Sequence, residues 1–361
     1  MSNARELAQI PSTPSGRRNL IINGAMNVAQ RGTTHTLTGS TSAYGIDRWR
    51  LTTIGMGQLV LGHDQSSEVP TGQGFEKSLL VNVDTAETAL AANEYAYLRY
   101  AAEGQDLQQL AYGSSSAKSL TLSFWVRSSV TGDYGILVYN SGSDRGYTPK
   151  YTVNAANTWE KKTITISGDT SGSFNHDNTM GLGFYFNLGS GSDFYGNGTE
   201  SWGAYDNGQL TVPTQVNLHA TQNNKFYLTG VQLEVGSTAT EFEHRSFGEE
   251  LQLCQRYYYE LNNTDDFRYV AGLTGRSTNT AYSMGQLHMT PMRTSPSVSS
   301  LGLAVYRGDI WRDVTATGAG AGRYGWGFNP NFATDSGCTD GTALMLYLNA
   351  IPSYIKFDAE L

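Results

Sequence analysis

The chain has 361 residues, room for roughly two or three domains. Only 16% are charged, beside 41 glycines and 22 tyrosines. That excludes an aromatic-poor disordered chain and, with no glycine period of three, a collagen. The net charge is −8 and no Lys/Arg run exceeds two residues, which excludes a nucleic-acid footprint. No apolar stretch reaches the roughly 18–20 residues of a membrane span.

Residues 1–17 read as an appendage. Ala4–Ile10 can form about two helical turns, and Pro11 to Gly16 then breaks the helix as a linker. So short a helix needs a partner surface, which makes Leu7 and Ile10 candidate anchor residues. The segment lacks a basic region followed by an apolar core, so no Sec signal is expected. Cys254 and Cys338 are the only cysteines and are read as reduced thiols.

From residue 18 to 245 the dominant period is two. Leu120, Leu122, Phe124 and Val126 alternate with Thr121, Ser123, Trp125 and Arg127. Leu182, Phe184, Phe186 and Leu188 alternate with Gly183, Tyr185 and Asn187. Each pattern is a half-buried strand, and polar turn clusters separate them. Many short strands without a long helix predict a jelly-roll β-sandwich. Tyr227, Val231, Leu233 and Val235 share one parity, and Gly230 inside that run marks a bulge or a close backbone approach. The Asn175–Asn178 cluster offers oxygens a calcium ion could use, but its spacing matches no EF-hand loop and it is read as a solvated turn.

Residues 246–256 break the alternation. Ser246 and Glu249 fit a capping box. Phe247, Leu251, Cys254 and Tyr258 then fall at heptad spacing, which predicts a short inter-domain helix and a candidate oligomer seam. The triplet Tyr257–Tyr259 also suits a strand, which would end the helix near Arg256. Residues 257–361 alternate again and predict a second, smaller β-sandwich. The fold class is therefore all-β, with a short N-terminal helix and a short helix between the two β domains.

Catalytic patterns are absent from the sequence. The six histidines are scattered and no H-E-x-x-H or G-x-S-x-G occurs. Gly320, Gly322 and Gly325 fit G-x-G-x-x-G, but Trp326 to Pro330 cannot open the helix that a dinucleotide site requires. Asp265-Asp266 and Glu249-Glu250 are adjacent in sequence, which does not place two carboxylates across a glycosidic bond. Aromatic-rich loops are the better lead. Residues 189–208 carry Tyr195, Trp202 and Tyr205, and residues 306–328 carry Trp311 and Trp326. Rings among Asn, Asp and Ser suit a sugar, which has apolar faces and hydroxyl edges, so these five are the candidate glycan-binding residues.

Two stretches carry a family resemblance. Asn19-Leu20-Ile21-Ile22-Asn23-Gly24-Ala25-Met26-Asn27-Val28-Ala29-Gln30-Arg31-Gly32, followed by Ile46-Asp47-Arg48-Trp49, resembles the opening of a jelly-roll module of bacteriophage tail-fibre and tail-appendage proteins. Phe226 to Gly236, then Thr240-Glu241-Phe242-Glu243 and Glu249 to Tyr258, resembles its closing strand and junction. The ending Phe357-Asp358-Ala359-Glu360-Leu361 is also similar. The resemblance implies a virion protein made in the host cytoplasm, usually a homotrimer. Its N-terminus would dock on other tail or baseplate proteins, and its outer surface would engage a host glycan. It implies no catalytic residues. Related carbohydrate-binding jelly rolls hold a structural calcium, but Asn27 and Thr229-Gly230 stand at those neighbourhoods here, so the expectation is no cofactor and no metal ligand. The competing readings are a purely structural fibre or decoration subunit and a polysaccharide depolymerase.

Overall fold

A computed structural model describes residues 17–263, 268–277, 280–283, 291–306, 311–318, 331–334 and 343–361. Leu7, Ile10 and the expected N-terminal helix lie outside the described residues, as do Asp265, Asp266, Trp326, Cys338 and the glycines at 320, 322 and 325. The chain divides into two compact units, residues up to Phe247 and Gly248–Leu361.

The first unit is an antiparallel β-sandwich. Its strands are β1 (Thr36–Thr38), β2 (Thr41–Tyr44), β3 (Trp49–Ile54), β4 (Val60–Ser66), β5 (Ser78–Thr85), β6 (Tyr95–Glu103) and β7 (Leu120–Ser128). They continue as β8 (Gly132–Asn140), β9 (Arg145–Tyr147), β10 (Lys150–Val153), β11 (Glu160–Ile166), β12 (Met180–Ser190), β13 (Gly203–Ala204) and β14 (Lys225–Val235). One sheet has the order β1-β4-β5-β14-β7-β11, and the other β13-β9-β8-β12-β6-β3-β2 with β10 paired to β8. Alternation along each strand sends one set of side chains between the sheets. Phe124 of β7 meets Phe186 of β12 edge-on at 5.4 Å, and Trp49 of β3 packs at 6.0 Å from Phe186. All three are buried, and each such ring contributes about 1.5–3 kcal/mol or more to folding. The bulge expected at Gly230 is present, as a register shift between Thr229 and Gln232. It inverts the parity of the strand: Phe226 packs near Tyr134 in the core, whereas Tyr227 turns toward Trp159 and Arg127. Tyr227 therefore does not share a face with Val231 and Leu233.

The two motif stretches form one polar lock. The Asn19 side chain accepts from Leu233 N (3.0 Å) and Ile21 N (2.9 Å) and donates to the Val231 carbonyl (3.2 Å). Asn23, at φ 58°, donates to the Val28 and Asp47 carbonyls at 2.8 and 2.9 Å and accepts from Val28 N at 3.0 Å. Arg48 is buried, donates to the Ala101 carbonyl (2.6 Å) and lies over the Tyr100 ring. Glu243 accepts from Arg18 N and Asn19 N, and Glu234 pairs with Arg18 at 3.2 Å. Buried polar groups are tolerated only when paired, and these are paired across more than 200 residues of sequence. The motif is therefore a structural fastener that ties the opening segment to the closing strand.

The second unit opens with helix α1 (Phe247–Gln255). Tyr258 then begins strand β15 (Tyr258–Asn263), so the heptad spacing ends with the helix at Gln255. The remaining strands are β16 (Arg268–Ser277), β17 (Thr280–Ser283), β18 (Ser297–Leu301), β19 (Leu303–Tyr306), β20 (Trp311–Gly318), β21 (Asn331–Thr334), β22 (Ala343–Leu348) and β23 (Ser353–Asp358). This unit is all-β, but it is a closed barrel, β16-β17-β21-β20-β19-β22, with a three-stranded sheet β15-β23-β18, rather than two facing sheets. Closure removes the edges of the barrel sheet, while β15 and β18 remain the edges of the small sheet. Leu344, Leu346 and Leu348 of β22 join Leu273, Leu303 and Val305 in its core.

Candidate functional site

The outward face of the second sheet of the first unit carries a groove of about 260 Å³. Strand alternation builds it. Leu98 and Tyr100 of β6 point into the core, so Tyr95, Tyr97 and Arg99 point out. In β12 the same logic turns Phe184 and Phe186 in and Tyr185 out, and in β8 it turns Ile136 and Val138 in and Leu137 and Tyr139 out. Register then gathers them: Tyr185 lies opposite Arg99 on β6 and Leu137 on β8, and Gly183 opposite Tyr139. Glycine at 183 leaves room for the Tyr185 ring, since a Cβ there would sit 2.6 Å from it.

The long loop after β12 closes one side. Its Phe194 packs on Tyr95 at 4.3 Å and its Tyr205 on Tyr139 at 5.1 Å. The loop is held by the Gly203–Gly146 strand pair and by Tyr205 N donating to the Asp144 carbonyl at 2.9 Å. Tyr97 and Tyr185 meet edge-on at 4.9 Å, and Tyr95 and Tyr97 stack at 5.8 Å. The result is a cleft of tyrosine rings and their phenol tips, completed by Asn207, Leu137 and Leu210.

The lining of the cleft carries no charged side chain, while Arg99 and Asp144 stand against Tyr185 and Tyr139. Burial raises the phenols of Tyr95, Tyr185 and Tyr205, and burial with the neighbouring Asp144 carboxylate pushes Tyr139 up to about 12. These hydroxyls stay protonated and can donate and accept. The Tyr139 hydroxyl donates to Asp144 at 2.8 Å. Arg99 lies beside the Tyr185 ring, 5.9 Å from its centroid, and donates to the Tyr44 hydroxyl at 3.2 Å. No carboxylate or histidine lines the cleft. No cluster of three His, Cys, Asp or Glu able to hold a metal occurs among the described residues. In the 175–178 turn, Asp177 accepts from Thr179 N and Oγ1, as a capped turn does.

Of the candidate glycan residues, Tyr205 lines the groove. Tyr195 is 42% exposed outside it and donates to the Pro213 carbonyl. Trp202 packs on Tyr147 and Tyr112 at 5.5 and 5.8 Å and donates to the Ser167 carbonyl, so it fastens its own loop. Trp311 belongs to the second unit, where it is 45% exposed on the barrel wall against Tyr306 and Tyr347. Tyr95, Tyr97, Tyr139 and Tyr185 are the residues sequence reasoning missed. Of the seam residues, Cys254 and Tyr258 are buried, while Phe247 is 60% exposed and Leu251 half-buried. No helix among the described residues is long and apolar enough to cross a membrane.

The sequence matches no protein-family model and no curated protein sequence. Solved structures with a similar chain path include the enzymatically active domain of tailspike protein 4 of bacteriophage CBA120. The likeness has a TM-score of 0.34 and 11% identity over 60% of this chain, but spans only 21% of that one. A xylan-binding domain of Paenibacillus barcinonensis gives a TM-score of 0.29 at 14% identity, over 62% of this chain and all of that one. A family 11 carbohydrate-binding module of Clostridium thermocellum gives 0.28 at 13%, over 63% and 97%.

Proposed function

We propose that this chain is a tail-fibre or tail-appendage protein of a bacteriophage virion whose first unit binds a host-surface glycan. The groove carries the binding part of this reading. Protonated phenols beside ring faces match a ligand that is apolar on its faces and hydroxylated at its edges, and a cleft without charge in its lining matches a neutral one. The lining holds no carboxylate, whereas hydrolysis of a glycan needs two facing each other. This favours holding the chain over cutting it. The virion part rests on the resemblance of residues 19–32, 46–49, 226–236, 240–243 and 249–258. A homotrimer would multiply weak sugar contacts through avidity. Of the seam candidates, the exposed Phe247 and half-buried Leu251 are those left to meet a second copy.

Retention of the intact protein on immobilised host-surface polysaccharide tests the reading. Tyr185→Ala, which opens the centre of the groove, is expected to lose roughly tenfold or more in affinity, as one stacked ring contributes on the order of 1–3 kcal/mol. Equal retention of wild type and variant, or none by either, refutes the groove as the binding site. Release of reducing ends would turn the reading toward the depolymerase, and a stable monomer in sedimentation would refute the trimer.

A further inference from the structure

We propose a second saccharide site on the opposite face of the first unit, a small cleft that takes a single pyranose unit or chain end. It has a volume of about 170 Å³ and is walled by Phe75, Phe242 and His244 on one side and by Trp125 and Lys161 on the other. The ring wall is assembled from two distant loops: Phe75 meets Phe242 edge-on at 5.0 Å, and His244 packs on both at 5.4 and 4.8 Å. Gly230 makes this possible. It sits at φ 61°, and a Cβ there would come within 2.6 Å of the Phe75 ring, so the bulge of β14 lets that ring lie against the sheet.

The facing wall comes from strand parity. Trp125 of β7 alternates outward from Phe124 and Val126, and Lys161 is its register partner on β11. Among the described residues the Trp125 indole N–H, the Lys161 ammonium and the Gln73 amide bond no protein group. The Trp125 indole N–H and the Lys161 ammonium therefore face a wall of rings, with Gln73, Ser123, Thr240 and Glu241 also in the lining, across a space below the ~300–1,000 Å³ of a drug-sized pocket. An apolar face opposed to a mixed set of donors and acceptors is what one sugar ring presents in complement. A purely apolar ligand would leave those donors unpaired, and a bare anion would leave the rings unused.

This site does not depend on the tyrosine groove, so the test separates the two. Uniformly 15N-labelled full chain is titrated with methyl glucoside, galactoside, mannoside and N-acetylglucosaminide, reading the Trp125 indole N–H, which Trp125→Phe assigns. At least one glycoside is expected to shift that resonance saturably, in wild type and in Tyr185→Ala alike. Lys161→Ala, at an exposed position, is expected to weaken that titration by about tenfold or more, the loss of one charged hydrogen bond. Absence of any saturable shift at Trp125 overturns the second site. So does a shift that vanishes in Tyr185→Ala, or one that Lys161→Ala leaves unchanged.

Discussion

Lowering the pH from 7 to 5 is expected to destabilise the first unit by about 4 kcal/mol. The source is two histidines, His63 and His219, each fully buried with both ring nitrogens lacking a hydrogen-bond partner. Burial lowers both from 6.5 to about 3, with the nearby His35 adding to the effect at His63. In the unfolded chain each takes up a proton as the pH falls through 6.5, while in the folded unit each stays neutral down to about 3. The unfolded state therefore binds more protons, and stability falls as pH falls through that window. At pH 5 the linkage amounts to about 2 kcal/mol per histidine. Paired carboxylates contribute little there: Glu160 and Asp133 are both lowered to about 2, so their stabilisation is lost mainly below pH 4.5. The assay is urea unfolding at pH 7 and pH 5, followed by the summed tryptophan emission, for wild type and for His63→Leu/His219→Leu. The double variant is expected to lose less than about 1 kcal/mol over the same interval. A wild type that loses no more than the variant would refute the assignment.

Three other outcomes follow from the geometry. Asn23→Ala strips three buried hydrogen bonds and puts alanine at φ 58°, a loss of about 3–5 kcal/mol that chemical denaturation would read. Trp202→Ala should lower the melting temperature yet leave retention on host polysaccharide unchanged, because its ring and N–H are spent on Tyr147, Tyr112 and Ser167; lost retention with an unchanged melting temperature would return it to the binding surface. Gly230→Ala forces a methyl against Phe75 at a left-handed backbone position, costing about 2–4 kcal/mol, and Phe75→Ala should recover part of that loss in a double-mutant cycle.

The sandwich was legible in the sequence wherever one strand buries one face. Runs such as Leu120–Arg127 and Leu182–Leu188 declare themselves because their period is set by the strand alone. Gly230 announced its bulge, but the parity inversion that turns Tyr227 outward depends on which neighbours the bulge faces. The groove was hidden for a related reason. Tyr95-x-Tyr97 has outward parity on β6, yet its meaning lies in β12 and β8, which arrive beside it from tens of residues away. The available signal was tyrosine on the polar parity of three strands. Weighting loops over strands found Tyr205 and overlooked the rest, and it promoted Trp202, whose packing under its own loop no local pattern reveals. Tyr258 lies in a strand and not in the helix because a tyrosine triplet at heptad spacing also suits a strand, and pairing with Asp358 decides in favour of the strand.

The polar lock also sets the path of mechanical load. Arg18 N and Asn19 N donate to Glu243, and Arg245 donates to the Ile21 carbonyl, so the chain enters and leaves the first unit at one corner. Tension applied between residue 17 and residue 246 is borne first by that corner, and β6, which carries Tyr95 and Tyr97, is tied to it through Arg48 and Tyr100. Under the proposed function, a pull on a bound glycan would therefore reach the fastener directly through β6, so grip and load-bearing share one strand of the domain.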